Sequence, residues 1–286
     1  MEIFLILLMS SVIRGVGYVV SKYISLGKES SHAMALANAS IDTLLSLPIG
    51  VFFALQNLSS GFNISMLLLS IISAAAYGIS VSFQYAALKR IDMSVMGIVL
   101  RLNILFSALI GILVLAEKMN GWNYLGLVVI LIGNFAVLFK KGRVNINYGV
   151  VFAALAALSS AIAGSMDKYI LNHISSVLYV SLNSVLIMST LFLMKPSAGR
   201  ESLRLIRKRL PIFVLFSLLN IMAWYLASYA LQNMDVSKFT PVQKTITLII
   251  PVLSGILIFK EKDNILQKIV GLGLAIIGIA LMYVNY

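Results

Sequence analysis

Ten apolar runs, each near the ~20 residues that cross a bilayer as a helix, decide what this chain can become. They lie at about 3–26, 32–55, 64–88, 93–116, 121–140, 147–171, 175–194, 211–232, 237–259 and 264–284. Transmembrane strands would show shorter segments of alternating polarity, so these continuous runs predict helices. The 286 residues are 60% hydrophobic and 11% charged, against roughly 25% charged in a soluble protein. That leaves too little polar surface to cover a water-soluble globule. The expected fold class is an all-α membrane protein with ten transmembrane helices, whose first partner is the lipid bilayer. The first run starts with Glu2, lacks a basic leader and carries Arg14 at its centre, so a membrane span is expected there rather than a cleavable signal.

Charge is placed as topology requires. The net charge of +12 sits mostly in short loops, which the positive-inside rule explains without nucleic acid as a partner. Lys89-Arg90, Lys140-Lys141-Arg143, the Arg200–Arg209 run and Lys260/Lys262 all follow odd-numbered runs. The loops after even-numbered runs are nearly neutral. Odd loops are therefore expected in the cytoplasm and both termini outside, in the cytoplasmic (inner) membrane. The longest connection is Lys195–Leu210, and Pro211 then suits the first turn of helix eight. There are no cysteines, which excludes disulfide, zinc-thiolate and iron–sulfur chemistry.

The chain repeats itself. Ser21-Lys22-Tyr23-Ile24 matches Asp167-Lys168-Tyr169-Ile170 at an offset of 146, and Asn38 can be laid on Asn183. Leu88 to Ser94 matches Leu231 to Ser237 at 143. Glu117-Lys118 matches Glu261-Lys262, and Gly126 and Gly133 match Gly271 and Gly278 at 145. The expected organisation is two five-helix repeats, 1–141 and 147–286. Five is odd, so the second half must enter the membrane upside down. Such inverted repeats mark secondary transporters, with the substrate near the midplane.

Ionisable groups inside the runs are the next constraint, since a cation in hydrocarbon costs ~3 kcal/mol or more. Arg14 lies at the centre of run one, Asp42 about ten residues into run two, Arg101 inside run four and Lys244 inside run nine. Three cations face one carboxylate in this inventory, and a purely structural network tends to neutrality. Lining a polar cavity for an anion is one reading. Snorkelling of the Arg101 and Lys244 stems, or a structural tie from Asp42 to Arg14 or Arg101, is the other. Tyr18 shares a helix face with Arg14, and Tyr77 with Gln84. Trp224 and Tyr225 lie midway along run eight, one turn after Asn220. Asn103 follows Arg101 and Gln243 precedes Lys244. These groups are expected to orient a ligand. Asp167-Lys168 is expected to form a local or interfacial charge pair, and Glu117 and Glu261 to cap helices or pair with Lys118 and Lys262. His32 and His173 are edge residues, and Trp122, Tyr283 and Tyr286 read as interface anchors.

With these residues in hand, the chain resembles the EamA-type members of the drug/metabolite transporter superfamily. Glu117 and Glu261 at the exits of runs four and nine carry the resemblance, with the glycine pairs Gly126/Gly133 and Gly271/Gly278. It implies a ten-helix bundle working by alternating access around a central cavity lined by both halves. Organophosphate and nucleotide-sugar carriers of that superfamily use basic residues in helices four and nine, where Arg101 and Lys244 fall. Pro241 and Pro251 have no counterpart in run four, so the two halves are not equivalent.

No cofactor and no metal is expected. There is no phosphate-binding Walker loop, no HExxH and no GxSxG, so an enzyme is not expected. The expected function is secondary transport of a small metabolite with an anionic or zwitterionic group, with Asp42 as the candidate for a coupling proton and a counter-substrate as the alternative. Other readings are a carrier of a cationic or drug-like solute held by Asp42 and the aromatics, a flippase for a polyprenyl-linked sugar, an intramembrane enzyme acting on lipid, and a scaffold.

Overall fold

A computed structural model describes residues 2–25, 30–56, 64–88, 90–91, 99–138, 147–257 and 265–283. Among these the chain is all-helical. The ten helices are α1 (Glu2–Ser25), α2 (Ser31–Gln56), α3 (Ile64–Leu88), α4 (Leu102–Leu113), α5 (Gly121–Leu138), α6 (Tyr148–Leu171), α7 (Ser176–Met194), α8 (Ala198–Gln232), α9 (Val236–Leu257) and α10 (Ile265–Met282). Six of them, α2, α3, α6, α7, α8 and α10, are long and apolar enough to cross a membrane, and α4 and α5 are apolar but shorter. Large apolar side chains point outward, as with Leu44 and Phe52 at 67% and 64% exposed, while Ala153, Ala156, Ala157 and Ala161 on α6 are fully buried. Small residues inside and large ones outside is the pattern of helices packed in lipid, where interior contact rather than water exclusion holds the bundle.

Two boundaries differ from the sequence expectation. The stretch expected as the Lys195–Leu210 connection is helical from Ala198 and continues into the eighth apolar run, with a kink at Arg209 (φ −134°, ψ 31°). Residues 198–208 are rich in helix-forming Arg, Leu, Lys and Glu. Pro211 cannot donate a backbone hydrogen bond, so it ends that segment and seats the first turn of the next. The fourth helix ends at Leu113 rather than near 116. Ala116 then takes a positive φ of 54°, and Glu117 N–H reaches back to Gly111 C=O at 3.0 Å. Residues 92–98, 139–146 and 258–264 lie outside the described residues. The expectations for Lys89, Lys140, Lys141, Arg143, Lys260, Glu261, Lys262 and Tyr286 fall there too.

The helices form two compact units, neither of which follows the sequence halves. Unit 1 is residues 1–78 with 166–233, and unit 2 is residues 79–165 with 234–286. In unit 1, α1 and α2 pack on α8, and α2 on α7. The α2–α7 seam is a run of hydroxyls: Thr43 donates to Ser184 C=O (3.0 Å), Ser46 Oγ meets Ser184 Oγ (2.7 Å) and Ser181 donates to Ser46 C=O (2.9 Å).

In unit 2, α5 packs on α10 and α4 on α9. The α5–α10 contact brings backbone against backbone at Gly126, Gly133, Gly271 and Gly278. A methyl group added at Gly126 would lie 2.6 Å from Gly278 C=O, and one at Gly278 would lie 2.7 Å from Gly126 C=O. The α2–α7, α4–α9 and α5–α10 pairs each join helices that the internal offset relates to one another.

Glu117 closes the start of α9. Its two carboxylate oxygens accept the N–H groups of Val236 (2.6 Å) and Ser237 (2.8 Å). Those are orphan donors of the first turn, and a carboxylate there also meets the positive end of the helix dipole. The expectation that Glu117 caps a helix holds, though the helix is α9, distant in sequence. Glu117→Ala is expected to cost about 1–2 kcal/mol and Glu117→Gln less, since the amide keeps one acceptor. Thermal melting of the detergent-solubilised protein checks this. Equal melting points for wild type and Glu117→Ala would contradict the cap.

Candidate functional site

The unit 1 polar set starts from α1. Arg14 is half-buried, and its Nε has no hydrogen-bond partner among the described residues. Gly17, one turn further on, faces Phe216 of α8, which places Arg14 on the α1–α8 contact. Asp42 of α2 is 7% exposed and accepts 2.8 Å from Asn220 Nδ2 of α8. The tie from Asp42 to Arg14 is therefore not made among the described residues; a neutral amide takes that place. The other Asp42 oxygen, Oδ1, and Asn38 Oδ1 one turn before it are buried without partners among the described residues. Buried polar atoms left open in this way point to a water or a ligand at the site.

Asp167 corrects the sequence reading. It is buried at 4% exposure and accepts hydrogen bonds from Ser73 Oγ and from Tyr77 OH (2.8 Å), both on α3. Lys168 does not pair with it. Its ammonium donates to the C=O groups of Leu231 (3.0 Å) and Gln232 (2.9 Å) at the end of α8, where the negative end of the helix dipole favours a cation. Consecutive helix positions point about 100° apart, so neighbours in sequence go to different partners. Tyr179 of α7 completes the Asp167 cluster and itself accepts from Asn183 Nδ2 at 2.7 Å. Tyr225 OH lies 3.0 Å from Ser181 Oγ. Trp224 is half-buried on α8, and the side chain of Tyr18 lies outside the described residues.

In unit 2, the packing of α4 on α9 brings Arg101 to the backbone at Lys244. Helical backbone at residues 99–100 is interrupted by a turn at Arg101, and Ile104 N–H bonds back to Arg101 C=O at 3.0 Å. The Arg101 guanidinium Nη1 donates to the backbone C=O of Lys244 at 3.3 Å. Arg101 thus reaches the backbone of Lys244, 143 residues on and close to its mate by the internal offset. Around them, Gln243 is buried and Asn134 Nδ2 donates 2.9 Å to Thr245 Oγ1. Asn103 donates to Ser160 Oγ (2.7 Å) and Ala157 C=O (3.2 Å), so it ties α4 to α6. Gln84 donates to Ser80 Oγ at 3.2 Å, and Ser80 donates on to Ala156 C=O.

The interior inventory therefore changes. Among the described residues, Asp42 and Asp167 are two buried carboxylates rather than one, both in unit 1 with Arg14. Arg101 and Lys244 stand in unit 2; among the described residues there, Glu117 binds the start of α9 and Asp235 pairs with Lys238 at 3.3 Å. His32 and His173 bond the C=O groups of Leu191 and Tyr169, each at 2.9 Å, consistent with structural rather than relay roles. No group of three or more His, Cys, Asp or Glu among the described residues could hold a metal ion.

Comparison with known proteins adds the family. A model described as the EamA-like transporter family matches residues 1–139 and again 147–284. A solved structure titled only "Crystal structure of protein" is similar in fold, with a TM-score of 0.66 over 98% of this chain and 96% of that one, at 13% identity. No curated protein matches the chain.

Proposed function

The chain belongs to the EamA-like transporter family, so it is a multi-pass membrane transporter of the drug/metabolite superfamily, and we propose that it carries a small anionic or zwitterionic metabolite across the cytoplasmic membrane. Transport is secondary, by alternating access, with ten spans arranged as two inverted repeats, 1–141 and 147–286. The odd loops, which hold the basic residues, face the cytoplasm.

The observation that carries the anion reading is the meeting of Arg101 with the Lys244 backbone at 3.3 Å. The helices that meet there each carry a cation, and an ionisable residue inside a membrane span is by default a functional-site candidate. A carboxylate or phosphate on the substrate is the group such cations recognise, and the guanidinium fork of Arg101 suits a planar or tetrahedral oxyanion. Within unit 1, Arg14, Tyr77, Trp224 and Tyr225 are further residues assigned to substrate contact. Asp42 is the carboxylate assigned to a coupling proton, since it is buried with a neutral amide as partner. A counter-substrate would replace that proton in an exchanger.

The test is uptake in proteoliposomes. Purified protein is first screened by thermal shift against phosphorylated metabolites, amino acids, nucleotide sugars and quaternary amines, because a ligand of the folded state raises the melting point. Uptake of the hit is then measured for Arg101→Gln and Lys244→Gln. Each variant is expected to lose at least tenfold in uptake while keeping its melting point within a few degrees. Normal uptake by both variants, or a hit that is a quaternary amine, sinks the anion reading.

A further inference from the structure

A groove of about 410 Å³ opens in unit 1 between α2, α7 and the first turns of α8. It belongs to none of the polar sets above. Leu36 and Ser202 form its buried floor, and Met188, Phe192 and Leu203 its walls, with Phe192 and Leu203 47% and 60% exposed. The walls are thus apolar and open outward, which suits a hydrocarbon chain rather than a water-soluble metabolite.

The mouth of the groove is charged. Arg200 lines it, and Arg204, Arg207 and Lys208 continue as exposed residues along the same segment. From Lys195 to Arg209 there are six cations and one carboxylate. That carboxylate, Glu201, is held by Ser30: both its oxygens accept from it, from N–H and Oγ, each at 2.7 Å. These bonds hold the partly exposed Glu201 carboxyl below the usual carboxylate range, so it stays ionised and bound to the start of α2. Exposed Leu203 lies beside the basic residues of this segment. A segment with a basic side and an apolar side, ended by the Arg209 kink, has the form of a helix lying in the membrane interface.

We propose that this groove holds one anionic phospholipid, its acyl chain against Leu36, Met188, Phe192 and Leu203 and its phosphate on Arg200. A zwitterionic lipid meets the same walls but brings its own cation to a basic mouth, so the site selects by headgroup charge. The lipid is a resident ligand of unit 1, and the inference stands whether or not the transport substrate is an anion.

Native mass spectrometry of delipidated protein, re-incubated with equal amounts of phosphatidylglycerol and phosphatidylcholine, tests it. Wild type is expected to retain one phosphatidylglycerol with at least tenfold preference under activation that strips other lipids. Arg200→Gln should reduce that preference to within twofold of parity. Ser40→Trp fills the groove and leaves the basic residues in place; it should lose the retained lipid altogether. Leu203→Gln, at an exposed wall position, serves as a second groove variant should Ser40→Trp not fold. Three results would overturn the proposal: equal retention of the two lipids, unchanged retention in the folded groove variants, or displacement of the lipid by millimolar inorganic phosphate, which would make this an ion site. Undisturbed retention in phosphate supports the lipid.

Discussion

Gly133→Val is expected to leave no folded protein, a loss well above the ~1–3 kcal/mol of ordinary overpacking. A methyl group at this position already lies 2.5 Å from Ala275 N and 2.6 Å from Gly271 C=O. Both are backbone atoms of α10, so no rotamer change relieves the contact. The helices must separate, and separation also opens the contacts of Gly126, Gly271 and Gly278, because the four glycines share one crossing. Close approach of this kind is what small residues provide between membrane helices. Gly273 is the control: a methyl group there meets nothing within 4 Å. Gly273→Ala is expected to be neutral or to stabilise by up to about 1 kcal/mol, the helix-propensity difference. Fluorescence-detected size exclusion with a melting series separates the two variants. A Gly133→Val protein that melts within two degrees of wild type would show that α5 and α10 do not meet in this way.

The second large effect is expected at Asp167. Asp167→Leu removes the acceptor for Ser73 Oγ and Tyr77 OH. Each hydroxyl then loses a charged acceptor, a loss of roughly 1–3 kcal/mol apiece. A loss of about 3 kcal/mol or more is expected. Asp167→Asn keeps the volume and one acceptor and should lose about half as much. Asp235→Asn, which breaks the half-exposed pair with Lys238 at 3.3 Å, should change stability by less than about 1 kcal/mol. The ordering Leu, then Asn, then the Asp235 control is the prediction; Asp167→Leu melting together with the control would refute it.

The legible part of this molecule was what repeats along the chain. Apolar runs gave the helices, and the offset of 145 paired Gly126 and Gly133 with Gly271 and Gly278, which then meet in space. The same offset logic set Arg101 and Lys244 as counterparts, and the α4–α9 contact joins them. Asp167 was not legible. Lys168 beside it offered a partner in sequence, while its real partners stand 94 and 90 residues away on α3. No local pattern carries that information. Glu117 was half legible: its place at a helix exit suggested a cap, but the capped residues lie 119 and 120 positions downstream. The helical stretch at Ala198–Lys208 was hidden by its charge, since a basic run between apolar ones reads as a loop when it is an amphipathic helix.

The two compact units interleave the chain, one closing with Asn233 and the other with the C-terminal residues after Met234. The ribosome therefore releases neither unit early. When the first 139 residues have entered the bilayer, Asp42 still lacks Asn220, and α5 still lacks the partner that its glycines require. Early spans must wait in lipid with polar side chains unmet, and the insertion machinery must shelter them until the second half arrives. Contacts between residues so far apart in sequence close slowly, which makes the interval during synthesis, rather than the finished protein, the stage most open to proteolysis.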